Sequence, residues 1–457
     1  MSLLLHICCL TKLKPWTRYR QGVPNLPPPP PTAAAPGPTA AAPGSTSAGA
    51  GGSDQAGIRA ANLALVTRTV FAATQPPTRA DVAHTTAMTR STVSRLVDDL
   101  VSGGVLTELE PVARAGPGRR GTPLVPDGGR FAALGLQVNV GYLAALVVDL
   151  AGAVRGRRVA ADDLRSSDPA AVLDRLALLA AEAVASAPGL VLVGAGLAVP
   201  GIVSPGSGLL LRAPNLGWSD VDLPAALSGH LGDLSLVVGN EADLASRTVS
   251  SERPGRPGRL RDFIYVSGET GIGGAVVLGG TPLAGRHGWA GEIGHLTVDP
   301  SGPRCPCGST GCLEQYAGKR ALLAAAGLDP EATASALTDR VDAGDARASD
   351  AVDRAAWALG CAVAGAVNLV DIPVIVLGGH LREVAHLIRP RLESTLRDRV
   401  LSARWVPPTI ETAGNDPAPG ALGAAYVELE RVVGDPAPWL ARTGATRSAP
   451  GSGRIAR

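Results

Sequence analysis

Aromatic side chains make up only 3% of this 457-residue chain, and methionine occurs twice. A core built on rings is therefore excluded, and Ala, Val and Leu must fill the interior. Charge of one sign is also lacking, with 42 basic against 40 acidic residues. Overall charge thus points to no partner, and any surface for nucleic acid must be local. No run approaches the ~20 consecutive apolar residues of a membrane-crossing helix. The apolar stretch Leu3–Leu10 is short, is interrupted by His6, and is followed rather than preceded by basic residues. A secretory signal has the reverse order. A reducing, cytoplasmic (nucleoid-associated) setting is the expectation, with Cys8 and Cys9 incidental rather than bridged.

Glycine and proline are abundant, at 57 and 38, and the hydrophobic fraction is 45%. Residues 22–57 form a Pro/Ala/Gly/Ser tract that buries too little apolar surface to offset its ordering entropy. Residues 1–57 are expected to be a disordered tail, dispensable or ahead of the true start. Residues 436–457 are expected to be a flexible C-terminal tail. The length between them suits more than one domain.

Residues 58–127 read as a small DNA-reading module. Apolar residues recur at helical spacing over 58–75. Thr78 can cap a short helix through Ala83, and Thr85–Met88 reads as a turn. From Thr89 onward, Val93, Leu96, Val97 and Leu100 follow the i, i+3, i+4, i+7 pattern until Gly103 and Gly104 end it. This order is a helix-turn-helix. Thr89, Arg90, Ser91, Thr92, Ser94 and Arg95 lie on the outward side near the helix start, suited to phosphates and base edges. A strand over Val105–Glu110, a basic turn over Gly116–Gly121 and a return strand over Thr122–Val125 make a wing carrying Arg114, Arg119 and Arg120. The plainer alternative is a small helical domain with a solvated charged face.

Beyond Pro126, strand-like and helical stretches alternate, which argues an α/β class. Residues 134–160 hold two strand-like runs around a central turn, and Val138–Val148 is rich in Val and Leu. Glycine-containing turns follow several strands, where α/β folds place ligands. The number of units suggests two similar lobes with a cleft between them. Residues 128–435 are assigned to this part.

The segment Trp289–Gly318 concentrates chemistry. His295, Cys305, Cys307 and Cys312 have the makeup of one closed tetrahedral site, and soft thiolates favour zinc over magnesium or calcium. With four protein ligands no position stays open, so the ion would be structural, a staple for loop 292–314. The alternative is three unpaired cysteines in a glycine turn. Cys361 lies among Ala and Val and reads as a packed core thiol.

The motif EIGH with its CxCG…GCxE tail, together with the module ahead of it, resembles the ROK family, which joins transcriptional repressors, uncharacterised members and sugar kinases. The resemblance covers about residues 60–435. It is to the repressor branch, similar to xylose and N-acetylglucosamine repressors. It implies a winged helix-turn-helix followed by a two-lobed, actin-like (ribonuclease-H-like) sugar-kinase fold. It also implies a monosaccharide in the cleft, contacted by Asn215, Asn240, Glu241, Glu292, His295 and Glu314. Carboxylates and amides suit vicinal hydroxyls. Trp218 is either an apolar platform for a sugar face or a core residue. In the family's kinases an aspartate follows the motif asparagine; Glu241 stands here. Their first phosphate motif aligns with NVGYL, where Asn139 and Leu143 replace aspartate and threonine and Gly141 survives. Gly268, Gly271, Gly273, Gly274, Gly378 and Gly379 keep the glycine turns. ATP and magnesium are therefore not expected. The implied partners are operator DNA, a monosaccharide effector and a second copy, as a homodimer or dimer of dimers. An ATP-dependent, glucokinase-type sugar kinase with an added DNA module is the second possibility, and a scaffold without ligands the third.

Overall fold

The computed structural model describes residues 50–110 and 121–445. Cys8, Cys9, the wing-tip residues Arg114, Arg119 and Arg120, and residues 446–457 lie outside the described residues.

The N-terminal module follows the local sequence signals. Helix Ala50–Ala72 comes first, and it takes in residues 50–57 of the expected disordered tract. Once a helix is nucleated and packed, extending it costs little. Thr78 caps helix Arg79–Thr86 in a reciprocal box. Its hydroxyl accepts from Asp81 N at 3.3 Å, and its own N–H donates to Asp81 Oδ2 at 2.9 Å. Ala87 turns the chain in the left-handed region at φ 56°. Thr89 then caps helix Arg90–Ser102, which buries Val93, Leu96, Val97 and Leu100. Strands Leu106–Glu108 and Leu124–Pro126 pair antiparallel as the base of the wing.

The boundary expected at residues 127–128 is crossed by a continuous core. Val70, Phe71, Val97 and Leu100 share one apolar cluster with Phe131, Tyr426, Leu429 and Val433. The expected flexible tail from residue 436 is also corrected, because Ala437–Ala445 is a helix. Trp439 meets Phe131 edge-on at 6.2 Å, and Leu440 fills the space left by the missing side chain of Gly103. These two apolar residues give the segment a face worth burying.

Each lobe is built on a five-stranded sheet. The first orders Leu236–Asn240, Val191–Val199, Phe131–Val138, Tyr142–Asp149 and Val154–Ala161 from edge to edge. Residues 131–161 thus form three strands where two were expected. The second orders Thr281–Pro282, Ile272–Leu278, Phe263–Gly268, Val374–Gly378 and Thr409–Thr412. In both sheets parallel pairs adjoin antiparallel ones. Two helices lie between the sheets. Pro419–Gly434 packs on the first sheet, where Gly135 lets its backbone approach: a β-carbon there would sit 2.0 Å from Ala421 O. Glu241–Ser250 packs on the second sheet through Ala242 and Ala245. The two helices meet at Leu244 and Ala424. The result is the expected two-lobed α/β architecture behind an N-terminal helical module. Several of the few aromatics fill it: Phe71, Phe131, Phe263, Tyr265 and Trp218 are all fully buried. No helix among the described residues is long and apolar enough to cross a membrane.

Candidate functional site

A cavity of about 340 Å³ opens between the lobes, and Asn215, Asn240, Glu241, Glu292, His295 and Glu314 all line it. They arrive from separate elements. Asn215 sits in the turn between strands Leu209–Ala213 and Trp218–Asp222. Asn240 ends a parallel strand of the first sheet, and Glu241 opens the helix that follows. Glu292 precedes and His295 ends a single tight helical turn, and Glu314 begins the short helix Glu314–Ala317.

The polar groups are held firmly. Glu314 is buried, and its Oε2 accepts from Asn215 Nδ2 at 3.3 Å and from Ile272 N at 3.1 Å. This pair joins the two sides of the cleft. Gly271 makes room for it, since a β-carbon there would fall 2.0 Å from Glu314 Oε2. Asn240 is engaged at both ends, donating to Gly201 O at 3.0 Å and capping its helix at Ala242 N at 2.8 Å. Its part is to fix the turn that aims Glu241. Glu241 Oε2 accepts from Asn139 Nδ2 at 3.0 Å and Gln137 Nε2 at 3.3 Å. Burial outweighs these bonds and pushes the carboxyl up to about 7.

His295, Cys305, Cys307 and Cys312 converge, with ligand atoms all within 4.8 Å of one another. Cys307 Sγ lies 3.8 Å from Cys312 Sγ, and Cys305 Sγ 3.8 Å from His295 Nδ1. Tetrahedral Zn–S bonds of about 2.3 Å set sulfurs about 3.8 Å apart. The quartet can hold a metal ion such as zinc. His295 would use Nδ1, which leaves Nε2 on the side of Glu292, 4.0 Å from its Oε2. The loop around it is short of regular structure but tightly turned. Gly311 allows Val298 N to reach its carbonyl at 2.9 Å.

The residues expected as remnants of phosphate binding divide. Gly271 and Gly273 line the cavity, whereas Asn139 and Gly141 do not. Asn139 is buried and fully used, its Nδ2 on Glu241 and its Oδ1 accepting from Gly141 N at 2.9 Å. Leu143 is core. Trp218 is core as well, its indole N–H donating to Ser167 O at 2.9 Å, away from the cavity. Four polar lining residues escaped sequence reasoning: Arg212, Glu269, Thr270 and Ser309. Glu269 had one visible signal, a charged side chain inside a glycine turn. Burial, reinforced by Glu241 and Glu383, pushes it up to about 8. Gln137 was also missed. It is buried in an apolar strand, and its Oε1 accepts from Ala421 N at 3.0 Å.

On the N-terminal module, Thr89, Arg90, Ser91 and Arg95 are exposed, while Thr92 and Ser94 are half-buried. All belong to the first two turns of helix Arg90–Ser102 or its cap. Thr89 has a structural duty, accepting from Thr92 N at 3.2 Å.

Known proteins carry both parts of this architecture. A putative xylose repressor from a Caldicellulosiruptor species is 27% identical over 369 residues, covering 77% of this chain and 91% of its own. N-acetylmannosamine kinase from Escherichia fergusonii is 35% identical over 248 residues, covering 53% of this chain and 82% of its own. A solved ROK family transcriptional regulator, a homologue of the E. coli MLC protein, superposes with a TM-score of 0.68 at 22% identity. It covers 84% of this chain and 99% of its own. Relatives thus divide between regulators and kinases, around a shared fold. Residues 133–431 match the profile of the ROK family, and the chain belongs to that family.

Proposed function

We propose that this protein is a sugar-responsive, DNA-binding transcriptional regulator of carbohydrate genes, with a kinase-like body that senses rather than phosphorylates. One observation carries the reading: the cavity and the N-terminal helical module are joined by packed elements. Helix Glu241–Ser250 starts at the cavity with Glu241 and runs straight into the hairpin Ser251–Pro257. That hairpin packs on the first helix of the module. Gly255 lies under Phe71, and Arg253 Nη2 donates to Phe71 O at 3.5 Å. A second path runs from Glu241 through Gln137 to Ala421 N, at the head of the helix that shares its core with the module. A ligand that shifts Glu241 therefore has two packed routes to the DNA-reading helix, the physical requirement for coupling.

In this reading a monosaccharide presents hydroxyls to Asn215, Glu241, Glu292 and Glu314, and His295 donates from Nε2. A structural zinc on His295, Cys305, Cys307 and Cys312 supplies the staple that fixes His295 and Glu314. Arg90, Ser91 and Arg95 meet operator DNA, with Thr89, Thr92 and Ser94 shaping the helix start, in a dimer whose two modules read two half-sites. The sugar relieves repression by favouring a different placement of the two modules. The loop around Ala213–Asp220 sets which sugar fits.

Support comes from the reach of the likeness, which covers 77% of the chain for the repressor relative and 53% for the kinase relative. The test is a thermal-shift screen with xylose, glucose, N-acetylglucosamine and mannose, then a DNA mobility-shift assay with and without the hit. A sugar that stabilises the protein without altering DNA binding sinks the regulatory reading. A second reading, an ATP-dependent sugar kinase, draws on one feature: a carboxyl at about 7 in the cavity suits a general base. Turnover of ATP with aldohexoses, N-acetylhexosamines or xylose, lost in Glu241→Gln, would establish it.

A further inference from the structure

We propose that Glu269 is a specificity-determining residue that closes the phosphate side of the cleft, so that the cavity admits an uncharged, unphosphorylated monosaccharide and excludes nucleotide. This rests on reading the cavity as a sugar site. Two glycine turns, Gly268–Gly274 and Gly378–Gly379, face each other, paired through Gly268 and Gly379. Turns of bare backbone N–H groups form concavities that cradle phosphate. Here Glu269 enters that space. Its Oε1 lies 2.6 Å from where a β-carbon on Gly379 would stand, so its carboxyl rests against the second turn. A carboxyl side chain of the protein already occupies the space between the two turns.

The surroundings deepen the exclusion. Glu241 and Glu383 face Glu269, and Lys319 is the cation on that side. The Tyr142 hydroxyl is buried near Glu269 and Glu241 without a hydrogen-bond partner. The cavity wall carries Glu241, Glu269, Glu292 and Glu314 against Arg212 and the metal-facing His295. Carboxyl groups of this density exchange hydrogen bonds with neutral hydroxyls, and those that ionise repel phosphoryl groups. The glycine turns therefore survive as scaffold, and the subsite between them is filled from within.

The experiment is calorimetric titration of the full chain with tripolyphosphate, AMPPNP with magnesium, glucose, and glucose 6-phosphate. It compares wild type, Glu269→Ala and Glu269→Gln. Wild type is expected to show no saturable binding of the three phosphorylated probes at millimolar concentration. Glu269→Ala should gain affinity for tripolyphosphate and AMPPNP by about tenfold or more. Glu269→Gln keeps the bulk and, titrated at about pH 9 where the wild-type carboxyl is ionised, loses the charge; it should gain less but measurably there, and it carries the test if the alanine variant does not fold. Wild-type binding of AMPPNP equal to that of the variants overturns the proposal, as does absence of gain in both. If no sugar binds any of the three proteins, the sugar reading fails, while the tripolyphosphate comparison still decides the role of Glu269.

Discussion

Replacing Glu241 by glutamine should stabilise the protein above neutral pH and change little near pH 4.5. The wild-type carboxyl accepts both of its hydrogen bonds on one oxygen, from Asn139 and Gln137. A glutamine carbonyl can accept the same two, so packing and bonding survive the change. What is removed is the cost of holding a charge in a confined wall. Burial moves this carboxyl from 4.5 to about 7. The folded state then binds the proton more tightly than the unfolded chain does. The associated stability is fully present below about pH 4.5 and is lost as pH rises through about 7. The charged form costs on the order of 3 kcal/mol. For a fold of this size that is roughly 4 °C in melting temperature. Differential scanning fluorimetry from about pH 4.5 to about pH 8.5 measures it. Asp243, which burial also holds at about 7, titrates in both proteins, and Glu269, raised to about 8 in part by Glu241, drops in the variant and adds to its gain above neutral pH. The gap between Glu241→Gln and wild type should open across this window and then stay constant. Parallel melting curves, or a wild type that gains on the variant as pH rises, would refute the argument.

Cys307→Ser should abolish zinc binding and lower the melting temperature by several degrees, as should chelation of the wild type; bound metal per chain, measured by plasma mass spectrometry, checks it. Arg90→Ala and Arg95→Ala should each weaken DNA binding several-fold and flatten its dependence on salt by about one phosphate contact; an unchanged slope would remove these residues from the interface. Gly255→Ala puts a β-carbon 2.8 Å from Val433 and 3.0 Å from Phe71. It should leave sugar binding within about twofold and yet blunt the sugar's effect on DNA binding; full retention of that effect would show that the hairpin transmits nothing.

The helix-turn-helix was legible because its signals are local. Thr78 and Thr89 cap as their hydroxyls demand, and the spacing of Val93, Leu96, Val97 and Leu100 sets which face is buried. The metal quartet was legible because a histidine and three thiols within eighteen residues have few other reasons to be there, and chain spacing alone brings them close. The lobes were legible in class but not in count, since an apolar strand such as Tyr142–Asp149, buried almost along its length, has no alternation to mark its edges. The two tails were misjudged at their inner ends, where residues 50–57 and 437–445 are helical through packing or propagation rather than composition.

The cavity is of another kind. Asn215, Asn240, Glu292 and Glu314 are spread over a hundred residues and meet only because two sheets and two interlobe helices put their loops at one place. The sequence settles which chemistry is on hand: thiolates for a metal, carboxylates for hydroxyls, arginines at a helix start. The fold settles which of those groups face one another. Asn240 both lines the cavity and caps a helix, Trp218 is core, and Gly271 makes space for Glu314. Gln137, set in an apolar strand, becomes a bridge from Glu241 to Ala421 N, and Glu269, set in a glycine turn, a carboxyl lodged against Gly379. Local propensity acts through neighbours along the chain, whereas burial and hydrogen bonding act through neighbours in space, and a binding site is made of the second kind.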